Sequence, residues 1–171
     1  MSSRMPEQKP GRSEQVVVTP WALIDAVERR FGAIVFDLAA SKGNARVRAG
    51  EHCYFGQEQN SLGQHWANLR GNLWLNPPYG KTDEAPHGIA DWASKCAESA
   101  KFGDPRKIPL LIPAGVGSNW FANHIYKKAL VLFLQGRVTF EGHTQCYPKD
   151  LMICCYGEKP GIEVWDWRRQ K

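Results

Sequence analysis

The sequence predicts an α/β fold, a mainly parallel sheet closed by antiparallel strands at its C-terminal end. Three observations predict it. Apolar runs of strand length alternate with amphipathic helical stretches through the middle of the chain. The last third is rich in short strands separated by turn residues. The polar residues best suited to chemistry fall just after the apolar runs, where open α/β sheets bind their ligands.

Taken in order, residues 1–15 (MSSRMPEQKPGRSEQ) are polar and aperiodic and predict a disordered tail, with one domain over 16–171. Val16 to Val18 is a short extended piece. Thr19 is placed to cap, and Pro20 to open, a helix running to about Arg30 that Gly32 ends. Leu23, Ala26, Val27 and Phe31 give it helical spacing. AIVFDLA is a buried strand finishing at Asp37. HCYF reads as a short strand and SLGQHWANL as a short helix. NLWL is a second buried strand, and Ile89 to Ala100 an amphipathic helix. IPLLIPA is a third strand, and Ser118 caps the helix SNWFANHIYKKA. LVLFL, Arg137 to Phe140, Leu151 to Tyr156 and Ile162 to Trp167 complete the strands.

The bulk numbers narrow the function classes. A chain of 171 residues with 43% hydrophobic and 23% charged residues is an ordinary globular composition. No apolar run reaches the roughly 20 residues of a membrane helix, and the polar start lacks a signal-peptide pattern. Five cysteines, with no CxxC pair and no metal spacing among Cys and His, read as reduced thiols in a cytoplasmic protein without a metal. A net charge of +5 and a pI of about 9.0 are compatible with a polyanionic partner. Oligomeric state is not legible.

The stretch NLWLNPPYGK carries the chemistry. Pro77 and Pro78 cannot donate to a ladder, so the strand stops at Asn76 and the chain turns stiffly. An aromatic exocyclic amine is a poor nucleophile, because its lone pair is delocalised into the ring. Two acceptors aimed at its N–H groups would localise that pair. The Asn76 side-chain oxygen supplies one, the Pro77 carbonyl the other, and Tyr79 can stack on the ring face. S-adenosylmethionine supplies the driving force and the protein the alignment. A base in a duplex would first have to leave the stack, at about a few kcal/mol. A rigid turn is the plainer reading, but the tetrapeptide arises by chance in on the order of one such chain in a thousand.

In this order, TPWALIDAVERRFG, FDLAASKGNA, SLGQHW, WLNPPYG, LLIPAGVGSNWF, GRVTF and LMICCYG resemble the small phage-type DNA N6-adenine methyltransferases, from about Thr19 to Tyr156. That resemblance implies a Rossmann-like methyltransferase fold, S-adenosylmethionine as cofactor and DNA as partner. It implies that Thr19 and Pro20 pack beside the methionine end of the cofactor. Asp37 to Ser41, including Ala39, hold its amino-acid portion, with the carboxylate pairing its ammonium. Asn76, Pro77, Pro78 and Tyr79 form the catalytic loop. Phe140 walls the base pocket, and Arg137 meets a phosphate or braces a loop. Lys81, in the loop Gly80 to Gly88, is a further candidate DNA contact.

Two departures stand out. Ala-Ala-Ser replaces the GxG expected after Asp37. The stretch from Asp37 to Asn76 is too short for two complete strand–helix units, so one sheet edge is abbreviated and Glu51, Glu58 or Asn60 is left to hold the ribose. Plainer readings stand beside these roles: Asp37 as a turn cap, Phe140 as core, Arg137 as a solvated charge. The loop chemistry serves adenine N6, cytosine N4, a glutamine amide or an RNA base alike, and a non-catalytic DNA-binding module would share the fold. The resemblance and the basic charge favour adenine in DNA, in the cytoplasm of the cell or of a phage host.

Overall fold

A computed structural model describes residues 17–48, 50, 52–81 and 86–169. The expected tail, Val16, Glu51 and part of the Gly80–Gly88 loop lie outside the described residues.

The chain runs α1 (Trp21–Phe31), β1 (Ile34–Asp37), β2 (Asn72–Trp74), α2 (Ile89–Ser99), β3 (Ile108–Pro113), α3 (Asn119–His124), β4 (Leu130–Leu134), β5 (Leu151–Tyr156) and β6 (Gly161–Trp165). β1 and β2 pair in parallel, and β3-β5-β4-β6 form a four-stranded mixed sheet. Backbone bonds from Leu73 to Lys107, Leu75 to Pro109 and Leu111 to Leu75 join β2 to β3 in parallel. All strands except β5 therefore point the same way.

Side-chain alternation divides the core across this sheet. Leu151, Ile153 and Cys155 of β5 pack with Leu23, Ile24 and Val27 of α1. Met152, Cys154 and Tyr156 pack on the other face with Trp92, Ala93 and Cys96 of α2 and Phe121 of α3. All of β5 is buried, as its unbroken apolar run requires. Cys154 and Cys155 thus face opposite layers, and burial raises both thiols far above the usual range.

Several elements differ from expectation. β6 is parallel to β4 rather than antiparallel: the chain reverses after β5, which is antiparallel to β4, and returns along the other flank of β4. With both flanks of β4 taken, Arg137 to Phe140 forms no strand, and Gly136 (φ 74°) turns the chain off the sheet. HCYF reduces to a bridge between Tyr54 and Asp37. SLGQHWANL becomes two 3-10 turns, Ser61–Gly63 and Trp66–Asn68. Among the described residues, that bridge, with its flanking backbone bonds at Cys53 and Phe55, is what pairs with β1 on its outer side. α3 ends at His124, five residues short of the expected Ala129, although Ser118 caps it. Thr19 does not cap α1. Pro20 occupies the cap position, and the carboxylate of Glu141 accepts the Trp21 N–H at 3.3 Å instead. Gly32 does end this helix, at φ 95°.

Candidate active site

Asn76 leaves the sheet one residue beyond the Leu75–Leu110 bridge. Its Nδ2 donates to the Val17 carbonyl and to Thr19 Oγ1, both at 3.1 Å. The carbonyl can only accept, so the amide is oriented without ambiguity. Its Oδ1 faces the other way and accepts from the Tyr79 hydroxyl at 2.8 Å. The Thr19 hydroxyl that could have capped α1 is committed here, nearly fully buried.

Asn76 and Thr19 line a cavity of about 620 Å³ that also takes in Asp37, Leu38, Ala39, Ser41, Arg46, Asn60 and Pro78. Such a volume suits a cofactor-sized molecule. Asn60 reaches the cavity from a left-handed turn (φ 45°) that joins two 3-10 segments. Asp37 closes a turn by accepting the Ala39 N–H at 3.2 Å, and its second oxygen accepts the Arg46 N–H at 2.9 Å. The capping role and a cavity-lining role are thus compatible. Burial pushes the Asp37 carboxyl up to about 6, against those two N–H groups and the Arg46 charge. A carboxylate so poorly compensated at a cavity wall is suited to a cationic ligand group.

Tyr79 is half-buried, with its ring 5.8 Å from Tyr147 and edge-on. Tyr147 in turn meets Phe140 at 5.5 Å and 87°. Burial, then the neighbouring Tyr147, pushes the Tyr79 phenol well above its ordinary range, so it donates as a neutral hydroxyl.

A family description of DNA N-6-adenine-methyltransferase (Dam) matches residues 8–151. The chain belongs to the Dam family. No curated protein sequence matches it. Dam-family membership places the chain among DNA methyltransferases that act on adenine N6, and implies S-adenosylmethionine as methyl donor.

Other expected residues of this Dam-family enzyme sit outside the cavity wall. Pro20 starts α1 through its carbonyl, which accepts from Leu23 and Ile24. Pro77 follows Asn76 without lining the cavity. Phe140 is 1% exposed and lies behind Tyr147, as core. Arg137 faces Asp150 at 3.6 Å, and Lys81 faces Asp91 at 3.7 Å; both cations remain largely exposed. Glu58 is exposed and away from the cavity, unlike Asn60.

Sequence reasoning missed Arg46, Trp92 and Glu141. Arg46 and Trp92 line the cavity. Glu141 reaches the site through Arg46 and Trp21. Arg46 lies nine positions after Asp37 across irregular chain, and no local pattern marks it. Among the described residues, no helix is long and apolar enough to cross a membrane.

Proposed function

We propose that this enzyme binds S-adenosylmethionine in the cavity beside Asp37 and methylates an adenine presented to Asn76 and Tyr79. The observation that carries this reading is that Asp37 and Asn76 line the same cavity, with Thr19 between them and bonded to the amide. Parallel strands β1, β2 and β3, with the cavity at the carboxyl ends of β1 and β2, support a Rossmann-like methyltransferase arrangement.

In this reading Asp37 pairs the cofactor ammonium, and Thr19, Ala39, Ser41 and Asn60 complete the pocket, with Pro20 bracing Thr19. The sulfonium supplies an electrophilic methyl group when bound. Asn76 Oδ1 accepts one N–H of the target amine and the Pro77 carbonyl accepts the other, which localises the nitrogen lone pair. Pro77 and Pro78 keep the Pro77 carbonyl in place through their locked φ angles, and Val17 and Thr19 hold the Asn76 amide. Tyr79 swings its ring against the base face and releases Oδ1 as it does so. Neither acceptor need be a strong base, because the proton leaves to solvent after transfer. Lys81 and Arg137 lie outside the cavity and meet phosphate. The enzyme works in the reducing cytoplasm, alongside the DNA.

Incubation with unmethylated DNA and methyl-labelled S-adenosylmethionine, followed by digestion to nucleosides, tests this. Label in N6-methyldeoxyadenosine, lost in Asn76→Ala, is the expected result. Label in cytosine, or full activity in Asn76→Ala, sinks it.

A further inference from the structure

We propose that Arg46, held by Glu141, is a positioning residue that sets the cofactor-side carboxylate and the catalytic amide relative to each other. This rests on the reading of the cavity as the cofactor site.

Among the described residues, the buried polar or charged ones are Thr19, Asp37, Arg46 and Ser61. The first three form one connected network. The Arg46 backbone N–H donates to Asp37 Oδ2, while its Nε donates to the Thr19 carbonyl at 2.5 Å. Thr19 carries the hydroxyl that holds Asn76. One residue therefore touches the loop behind the carboxylate and the strand behind the amide.

Glu141 closes the arrangement. One of its oxygens takes the Arg46 guanidinium, the other takes the Trp21 N–H, and its own N–H donates to Val18. The guanidinium also lies 4.8 Å from the Trp21 ring. Segment 17–21, which supplies both acceptors for the Asn76 amide, is thus clamped along its length. A buried cation needs such a counter-charge. Arginine suits the place because its planar fork reaches a carbonyl and a carboxylate in fixed geometry, which a lysine cannot do.

A buried ion pair could serve stability alone, and pH separates the two roles. The titratable residues beside Asp37 are Arg46 and, across the Tyr54 bridge, Cys53 and Tyr54, and His87 lines the same cavity. Of these, Arg46 supplies the charge that favours the ionised carboxylate.

The test is S-adenosylhomocysteine binding by calorimetry from pH 5 to 9, with kcat and KM on genomic DNA. It uses wild type, Arg46→Met, Arg46→Lys and Glu141→Gln. Wild-type binding is expected to weaken as pH falls through about 6. Arg46→Met should move that limb up, because the guanidinium charge is lost while the backbone N–H bond remains, and cut kcat on the order of 10- to 100-fold. Arg46→Lys should restore the limb but not kcat. Glu141→Gln should move the limb down, because the guanidinium loses its counter-charge. If Arg46→Met fails to fold, the other two variants carry the test. A limb that stays put while only the melting temperature falls overturns the inference, as does full recovery of kcat by Arg46→Lys. Wild type that binds no S-adenosylhomocysteine overturns the cofactor reading as well.

Discussion

The Tyr79 hydroxyl donates to Asn76 Oδ1 at 2.8 Å, so the aromatic ring and the oxygen proposed to receive the target amine are bonded to each other before any base arrives. The ring that should stack on adenine also holds one lone pair of the oxygen that should receive its amine. Both N–H groups on the opposite side of the amide are fixed by segment 17–21. Oδ1 therefore stays aimed when Tyr79 lets go.

Replacing Tyr79 separates these two jobs. Tyr79→Phe keeps the ring and loses the hydroxyl, and kcat should fall only about 3- to 10-fold. Tyr79→Ala loses the stacking surface as well, and should fall on the order of 10- to 100-fold. Steady-state rates on one DNA substrate compare them, and equal losses would remove the stacking role.

Asn76→Ala deletes the acceptor proposed for the methyl-accepting amine. Its kcat should drop by about 10²- to 10³-fold. S-adenosylhomocysteine should still bind within about threefold of wild type, because Asp37 and Asn60 are untouched. Calorimetry beside a single-turnover assay reads both. Loss of cofactor affinity on the same scale would mean that the amide belongs to the cofactor pocket instead.

Thr19→Val keeps the shape of the side chain and strips Asn76 of one partner. An orphaned, partly buried N–H costs about 1–3 kcal/mol, here spent on letting the amide wander. We expect a kcat lower by roughly tenfold or more, with the far-ultraviolet spectrum unchanged. Unaltered kcat would show that the Val17 carbonyl alone orients Asn76.

Asp37 gives the pH dependence. Its folded-state pKa of about 6 lies above the ordinary 3.8. Between those values the folded chain keeps a proton that the unfolded chain releases. Stability from this group is therefore complete below about pH 4 and lost as pH rises through 6, by about 3 kcal/mol in all. Cofactor affinity should run the opposite way, rising as the carboxylate ionises. Melting temperatures from pH 4 to 8 should show a decline in the free protein that saturating S-adenosylhomocysteine removes. A flat profile for the free protein would mean that the carboxylate is compensated in some other way.

Much of this site was legible in the sequence, because its parts end apolar runs. Asp37 closes one strand and Asn76 follows another, and parallel neighbours bring such ends together. The remainder depended on distant partners. Arg46 and Glu141 are 95 positions apart and meet only because Glu141 bridges Val18. Arg137 to Phe140 has strand composition, yet β4 has no free flank to receive it. Phe140 reads equally as pocket or core from its neighbours in sequence, and only the position of Tyr147 decides between them.

The placement of β5 has a consequence for how the protein is made. This strand sits between β3 and β4, yet it emerges from the ribosome after both. Until residue 151 is synthesised, two apolar strands wait with open hydrogen-bonding rims, each an invitation to a neighbouring nascent chain. β5 then joins both of them at once, and β6, made later still, takes the remaining flank of β4.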